Sequence, residues 1–186
     1  LMENALHCGN CLQQEPTWDR MVIIGRYNEP LSTLIHRFKF QKQFQLDRTL
    51  ARLLYLAIRE ARRNHQLPFP EVILPVPLHH FRQWRRGYNQ ADLLARQLSQ
   101  WLKIPVKNDL IIRTKRTPTQ RGLSAKDRRQ NLKNAFQLSA KARDFPYRHV
   151  ALIDDVITTG STLNEIAKLL RQANVTHIQV WGLART

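Results

Sequence analysis

The sequence predicts an α/β fold of three layers, in which a mostly parallel sheet is flanked by helices. Helical patterns and short apolar runs alternate along the chain, which is the order of crossover units that build parallel sheets. The runs at 72–76 and 150–153 are continuously apolar, as is typical of strands buried on both faces. The 186 residues, of which 42% are hydrophobic, suffice for one packed core.

The first half of the chain predicts two strands and three helices. The apolar run 21–24 predicts the first strand, and apolar positions within 31–38 predict a short helix. A longer helix fits 46–63, because seven apolar residues recur there at spacings of three and four while five arginines occupy the opposite face. After the strand at 72–76, the same spacing predicts a helix over 89–102, which ends before Pro105.

The second half predicts a long basic loop followed by strands and one helix. Residues 113–133 contain eight Lys and Arg against one acid, and Pro and Gly interrupt the front of this stretch. Residues 135–138 predict an edge strand. Beyond it we expect a strand at 149–153, a helix at 163–172 and a strand at 177–183.

The charge of the chain indicates a polyanionic partner. It has 30 Lys and Arg against 14 Asp and Glu, which gives a net charge of +16 and a pI near 10.9. No apolar run approaches the roughly 20 residues that span a bilayer, which excludes an integral membrane protein. Two cysteines make no disulfide framework, and we expect a cytoplasmic protein.

The segment 150–165 is the most informative motif. An apolar strand is expected to end in Asp154 and Asp155, and a turn of small residues leads into a helix. Inward-pointing backbone N–H groups and the positive end of the helix dipole suit an anion. The two acids suit sugar hydroxyls or a water-held Mg²⁺. The turn consists of Thr158, Thr159, Gly160, Ser161 and Thr162. Together these features predict a sugar-phosphate site at the carboxyl end of a parallel strand.

An alternative interpretation of this motif needs no ligand. One of the hydroxyl residues could cap the helix, with Glu165 completing a capping box, and the paired acids could form a solvated turn. Neither a GxGxxG nor a GxxxxGK[ST] sequence occurs, which disfavours dinucleotide and Walker-type nucleotide binding.

The sequence Cys8-Gly9-Asn10-Cys11 is a CxxC pair. One such pair supplies half of a tetrahedral Zn²⁺ site, to which His7 could add a third ligand. A thioredoxin-like redox motif is disfavoured, because no strand pattern precedes the pair and no helix pattern follows it. Two free thiols in an N-terminal tail remain the simpler alternative.

Basic residues recur on the exposed face of helix 46–63, in the run 82–86 and in the loop 113–133, with aromatic residues among them. Stacking of bases on aromatic rings beside cationic phosphate contacts is how single strands are bound. We therefore expect sequence-independent binding to single-stranded DNA, with a solvated helix face or loop as the alternative for each stretch. The candidate contacts are Arg82, Arg85, Arg86, Lys115, Arg128 and Arg129.

The segment ALIDDVITTGST (151–162) resembles the loop of type I phosphoribosyltransferases that binds 5-phosphoribosyl-1-pyrophosphate (PRPP). Several other segments resemble the ComF/GntX family of competence and DNA-utilisation proteins, whose domain has that fold. They occur in the family's order and extend over nearly the whole chain from Cys8 onward. These segments are LIHRFKF (34–40), PVPLH (75–79), RRGYNQA (85–91), TPTQRGLS (117–124) and RRQNL (128–132).

The resemblance implies a role for each matching residue. Asp154 and Asp155 would hold the ribose hydroxyls, and residues 158–162 would bind the 5′-phosphate. A pyrophosphate loop would comprise Pro75, Val76, Pro77 and Leu78. A mobile loop over the site would include Arg116, Gln120, Arg121 and Ser124. Mg²⁺ would accompany PRPP, and Cys8 and Cys11 would belong to a four-cysteine zinc module whose other pair lies upstream.

The resemblance also implies a division of the chain and a set of possible functions. Residues 1–19 would be a remnant of the zinc module and 20–186 a phosphoribosyltransferase-like domain. Such a protein would act in DNA uptake or utilisation, with single-stranded DNA and a competence helicase or DNA-loading protein as partners. An active phosphoribosyltransferase with an unknown acceptor and a non-catalytic sensor of PRPP or a nucleotide are the two alternatives.

Overall fold

In the computed structural model a four-stranded parallel sheet lies between helices. The structure describes residues 15–40, 45–78, 87–114, 132, 134–142 and 145–186. The strands in chain order are β1 (Arg20–Arg26), β2 (Val72–Pro75), β3 (Ile111–Arg113), β4 (Phe136–Leu138), β5 (His149–Ile157) and β6 (His177–Arg185). The parallel sheet has the order β1-β6-β5-β2, which puts β5 inside the sheet, while β3 and β4 form a separate antiparallel pair.

Four α-helices and a short 3-10 helix (Ala140–Ala142) are given by the described residues. The α-helices are α1 (Leu31–Phe40), α2 (Leu46–His65), α3 (Gln90–Leu102) and α4 (Ser161–Gln172). The apolar stripes of α1, α2 and α3 pack on one face of the sheet, and α4 packs on the other. None of these helices combines the length and the apolar character needed to cross a bilayer.

The sheet is buried on both faces, and β5 demonstrates this residue by residue. Ala151 and Ile153 lie in the core beneath α1, α2 and α3, whereas Val150 and Leu152 lie in the core beneath α4. Successive side chains of a strand point to opposite faces, so a strand that is apolar at every position needs cover on both sides. The predicted three-layer α/β architecture is therefore confirmed.

Most of the predicted elements are confirmed to within a few residues, with two differences. The predicted strand 149–153 continues to Ile157, because its parallel pairing with β6 extends to Arg185. Asp154 and Asp155 thus lie within β5 rather than after it. The predicted edge strand near 135–138 pairs with Ile111–Arg113, a strand that the sequence did not predict, and it lies outside the main sheet.

Candidate functional site

The carboxyl ends of β2 and β5 lie side by side. Pro75 pairs with Ile153, and the Val76 amide donates to the Ile153 carbonyl at 2.9 Å. The predicted pyrophosphate segment 75–78 therefore begins next to Asp154. Two segments that are far apart in the sequence meet at one edge of the sheet, the edge at which parallel α/β sheets bind ligands.

The alternation of β5 is interrupted at the two acids. Ile153 and Val156 both pack towards the core beneath α1, α2 and α3, whereas Ile157 packs into the core beneath α4. A regular strand would send residues three apart to opposite faces. The interruption falls at Asp154 and Asp155, so the side chains of these two residues do not follow the regular alternation between the two faces of the sheet.

Asp155 forms an ion pair that the sequence analysis did not predict. The Lys39 Nζ lies 2.9 Å from the Asp155 Oδ1, and both side chains are less than one fifth exposed. Lys39 comes from the C-terminal turn of α1, within the LIHRFKF segment, which carried a resemblance but no assigned role. Its only signal in the sequence is its place beside the apolar stripe of α1, four residues after Ile35.

Burial raises the pKa of Asp154 to about 7, and the neighbouring negative charge of Asp155 acts in the same direction. A hydrogen bond from the Asp155 amide and the positive charges of Lys39 and Arg113 oppose this rise. Arg113 is buried at the end of β3, with its guanidinium 5.4 Å from the centre of the Phe136 ring. The small antiparallel sheet therefore brings Arg113 towards the acids as a second cation after Lys39. With a pKa of about 7, Asp154 gains or loses its proton near neutral pH.

The residues Tyr88, Asn89 and Gln90 hold the surroundings of the acids in place. The Tyr88 hydroxyl donates to the Phe38 carbonyl at 2.7 Å, next to Lys39. Asn89 caps α3 by accepting from the Ala91 amide, and its Nδ2 donates to the Val76 carbonyl at 3.0 Å. Tyr88 and Asn89 thus connect the end of α1 to the segment after β2.

The turn between β5 and α4 closes on Gly160, which adopts a left-handed conformation with φ of 72°. Asn164 N–H donates to the Gly160 carbonyl at 2.9 Å, so the helix begins there. The Thr159 and Ser161 hydroxyls lie 2.8 Å apart. Among the described residues no side chain caps Gly160, and Glu165 instead pairs with Lys168 at 2.9 Å. The capping box with Glu165 is therefore not formed, although the Ser161 N–H donates to the Thr159 hydroxyl at 3.3 Å, which gives one amide of the first turn a side-chain partner.

Gly160 is also required by a neighbour that the sequence analysis missed. A Cβ on Gly160 would lie 2.6 Å from the Trp18 Cη2. Trp18 belongs to a segment that is tied to α4, where the Thr17 amide donates to the Asn164 Oδ1 at 2.8 Å. Glycine at this position thus permits both the backbone conformation and the close approach of an indole ring.

We expect Gly160→Ala to destabilise the protein by about 2 kcal/mol, because a Cβ here combines a left-handed φ with a clash against Trp18. Thermal unfolding measures the effect. The matched control is Gly25→Ala, whose Cβ would have no heavy atom within 4 Å. This control should stay within about 0.5 kcal/mol of the unchanged protein. Equal melting temperatures for the two variants would contradict the role of Trp18.

Several predicted site residues lie outside the described residues. These are the mobile-loop residues Arg116, Gln120, Arg121 and Ser124, the nucleic-acid contacts Arg82, Arg85, Arg86, Lys115, Arg128 and Arg129, and the metal ligands Cys8 and Cys11. Within the described ranges, no group of three or more His, Cys, Asp or Glu side chains could hold a metal ion. Asp154 and Asp155 are two oxygen donors, which fits an Mg²⁺ bound mainly by a diphosphate and water.

Comparisons with known proteins show what this chain is similar to. Residues 84–184 match the family model described as the phosphoribosyl transferase domain. Competence protein F of Haemophilus influenzae is 74% identical over 181 residues, which cover 97% of this chain and 79% of that protein. DNA utilization protein YhgH of Escherichia coli O157:H7 is 48% identical over 181 residues, with 97% and 78% covered. Among solved structures, adenine phosphoribosyl transferase of Trypanosoma brucei has a TM-score of 0.47 at 18% identity, with 80% and 56% covered.

Proposed function

The chain belongs to the ComF family of competence and DNA-utilisation proteins with a phosphoribosyltransferase domain, and from this premise we propose that its site binds PRPP together with Mg²⁺. The ribose diol would lie at Asp154 and Asp155. The 5′-phosphate would lie at residues 158–162, and the diphosphate near residues 75–78.

The free oxygens of the two acids are the observation that supports this proposal most directly. The Oδ1 of Asp154 accepts from the Asp155 amide at 2.8 Å, and the Oδ1 of Asp155 accepts from the Val156 amide and from Lys39. Among the described residues, neither Oδ2 has a hydrogen-bond partner. One oxygen of each carboxylate thus remains as an acceptor, and a ribose diol has two hydroxyl donors to offer.

The turn and the segment after β2 supply the surroundings that a sugar phosphate needs. Thr158 and Thr159 are exposed, and Gly160 opens a helix of twelve residues whose N-terminus favours an anion. Pro75 and Pro77 lack N–H donors but fix the path of the segment, which Asn89 holds through the Val76 carbonyl. Bound Mg²⁺ would neutralise diphosphate charge, and Lys39 and Arg113 place two further positive charges near the acids.

We expect calorimetric titration with PRPP and Mg²⁺ to give saturable binding that strengthens about tenfold between pH 6 and pH 8. Hydroxyls donate to the ionised carboxylate, and Asp154, with a pKa of about 7, becomes ionised across this range. The Asp154→Asn variant is the control. Because asparagine does not titrate, the pH dependence of binding that remains in this variant is the part that PRPP itself contributes. Absence of saturable binding at every pH would contradict the proposed function, and binding that weakens with rising pH would contradict the role of ionised Asp154.

A second candidate function is phosphoribosyl transfer to an acceptor. In that reaction the bond from the ribose C1 to the diphosphate breaks, and a bond from C1 to the acceptor forms. The pKa of Asp154 near 7 supports this candidate, because a group that exchanges its proton at neutral pH can act as a general base. Release of pyrophosphate from PRPP when candidate acceptors are added would favour transfer, whereas saturable binding of PRPP without release in their presence would favour a sensor of PRPP.

We further propose that single-stranded DNA and a competence helicase or DNA-loading protein are partners outside this pocket. The net charge of +16 supports a polyanionic partner. The names of the relatives, a competence protein and DNA utilization proteins, agree with that class of partner. Co-purification with single-stranded DNA at low salt, and its loss as salt is added, tests this part of the proposal.

A further inference from the structure

The outward face of α2 presents four arginines in one stripe. Arg48, Arg52, Arg59 and Arg63 are exposed and lie at helical spacings of four, seven and four residues, over about 22 Å of the helix. Among the described residues, no carboxylate lies within 4 Å of any of these four guanidinium groups. We call this set, together with Tyr55 and Trp101, the arginine stripe.

Some other arginines of the described chain have partners that hold their guanidinium groups. On the adjacent helix, Arg96 pairs with Asp92 at 2.9 Å. Arg171 on α4 pairs with Asp19 at 2.8 Å. Arg62, also on α2, donates to the Leu67 carbonyl at 3.0 Å and stacks on Phe69. Arginines on other helices of the described chain thus form ion pairs, whereas the four arginines of the stripe form none with the described carboxylates.

An aromatic pair holds the centre of the stripe. Tyr55 on α2 and Trp101 on α3 meet edge to face with ring centres 5.8 Å apart, and both rings are half-buried. The Arg52 guanidinium lies 5.0 Å from the Tyr55 ring and 5.5 Å from the Trp101 ring. Arg59 donates to the Tyr55 hydroxyl at 3.1 Å. These contacts orient two guanidinium groups without neutralising them, which leaves their charge available to a ligand.

We propose that the arginine stripe binds single-stranded nucleic acid, with phosphates on the arginines and bases against the aromatic pair. A linear row of cations beside aromatic rings is the arrangement that follows a single strand, and its length suits a site of about four nucleotides. Charge complementarity favours a nucleic acid as the occupant, because a phosphate backbone supplies a regular row of negative charges along the four arginines. The inference rests on the proposed DNA partner and names its surface, which is on the opposite side of the sheet from α4.

The test compares two double variants by fluorescence anisotropy with a labelled oligothymidylate of about 20 nucleotides over a series of salt concentrations. Arg52→Gln with Arg59→Gln is expected to weaken binding about tenfold at low salt. It should also reduce the slope of log affinity against log salt by about 1.4, for two lost phosphate contacts. The control is Arg96→Gln with Lys168→Gln, which removes the same charge from exposed residues that have acidic partners. This control should leave the slope unchanged, and melting temperatures confirm that both variants fold.

Two further arms separate this inference from the proposed PRPP site. Binding of the oligonucleotide that is unaffected by Asp154→Asn with Asp155→Asn supports a separate surface, even if PRPP binding itself should fail. Loss of oligonucleotide binding in that variant, or an equal loss in the two arginine variants, would overturn the inference. Polyglutamate serves as an anionic polypeptide probe. The inference would also be overturned if the unchanged protein failed to bind the oligonucleotide but bound polyglutamate, and the stripe variant lost that binding.

Discussion

Replacing both Asp154 and Asp155 with asparagine is expected to lower the affinity for PRPP and Mg²⁺ by at least about 100-fold. Hydrogen bonds to charged groups contribute about 1.5–3 kcal/mol each, and the variant converts both of the proposed charged acceptors into neutral amides. A 100-fold loss corresponds to about 2.7 kcal/mol, less than two such bonds together. Calorimetric titration at pH 8, where Asp154 is mostly ionised, measures the loss.

Glu165→Gln is the matched control for this experiment. Glu165 lies in the first turns of α4, close in sequence to the turn proposed to bind the 5′-phosphate, and its partner Lys168 is exposed on the same helix. Removal of this charge should change the affinity less than threefold, on the order of the weak contribution of a surface ion pair. An affinity within threefold of the unchanged protein for the double aspartate variant would contradict the proposed diol site.

Lys39→Met is expected to destabilise the protein by about 2–3 kcal/mol at pH 8. The methionine side chain would leave the carboxylate of Asp155 mostly buried beside Asp154 without its cation. Removing one partner of a buried pair is costly because the remaining charge is uncompensated. The charge of Lys39 lowers the pKa of Asp154, so its loss should raise that pKa, and the destabilisation should be smaller at pH 5, where Asp154 is protonated in the folded protein. Denaturant unfolding at the two pH values measures both effects.

A double-mutant cycle isolates the ion pair from other effects of the lysine. In the Asp155→Asn background, Lys39→Met should cost much less, since no buried carboxylate remains to be neutralised. Lys168→Met removes an exposed cation that pairs with Glu165, and it should cost no more than about 1 kcal/mol. Additive effects of the substitutions at Lys39 and Asp155 would show that the 2.9 Å contact contributes nothing to stability.

The Lys39–Asp155 pair also sets a constraint on ligand binding. Lys39 and the Val156 amide both contact the Oδ1 of Asp155, so a sugar hydroxyl can reach the Oδ2 without displacing the lysine. The lysine thus orients the Asp155 carboxylate while leaving an acceptor open. In this arrangement Lys39 acts as a positioning residue for the proposed ribose contact.

The long elements and the family were predictable from the sequence. The helices α2 and α3 are each encoded by apolar residues that recur within successive turns, and β1 and β2 by short apolar runs, so local periodicity was enough. The motif at 151–162 predicted a glycine turn between a strand and a helix, although the two acids before it lie within the strand rather than after it. These signals depend only on residues that are neighbours along the chain.

The parts that the sequence did not predict depend on contacts between distant residues. Ile111–Arg113 forms a strand only because Phe136–Leu138 pairs with it, and three residues are too short for a recognisable alternation. The strand β5 continues through its two acids because β6 provides backbone partners as far as Arg185. Strand length in a sheet is decided by the neighbouring strand, which no local pattern specifies.

The amino-acid sequence by itself determined the α/β class, the ComF family and the place of the two acids before a glycine turn, because each of these is encoded in short stretches of chain. Only the tertiary structure decided the electrostatics of those acids. It placed Lys39 against Asp155, brought Arg113 towards Asp154 and packed Trp18 on Gly160. The charge and burial of a carboxyl depend on every group within a few ångströms, and folding layers together selects those groups from distant parts of the sequence.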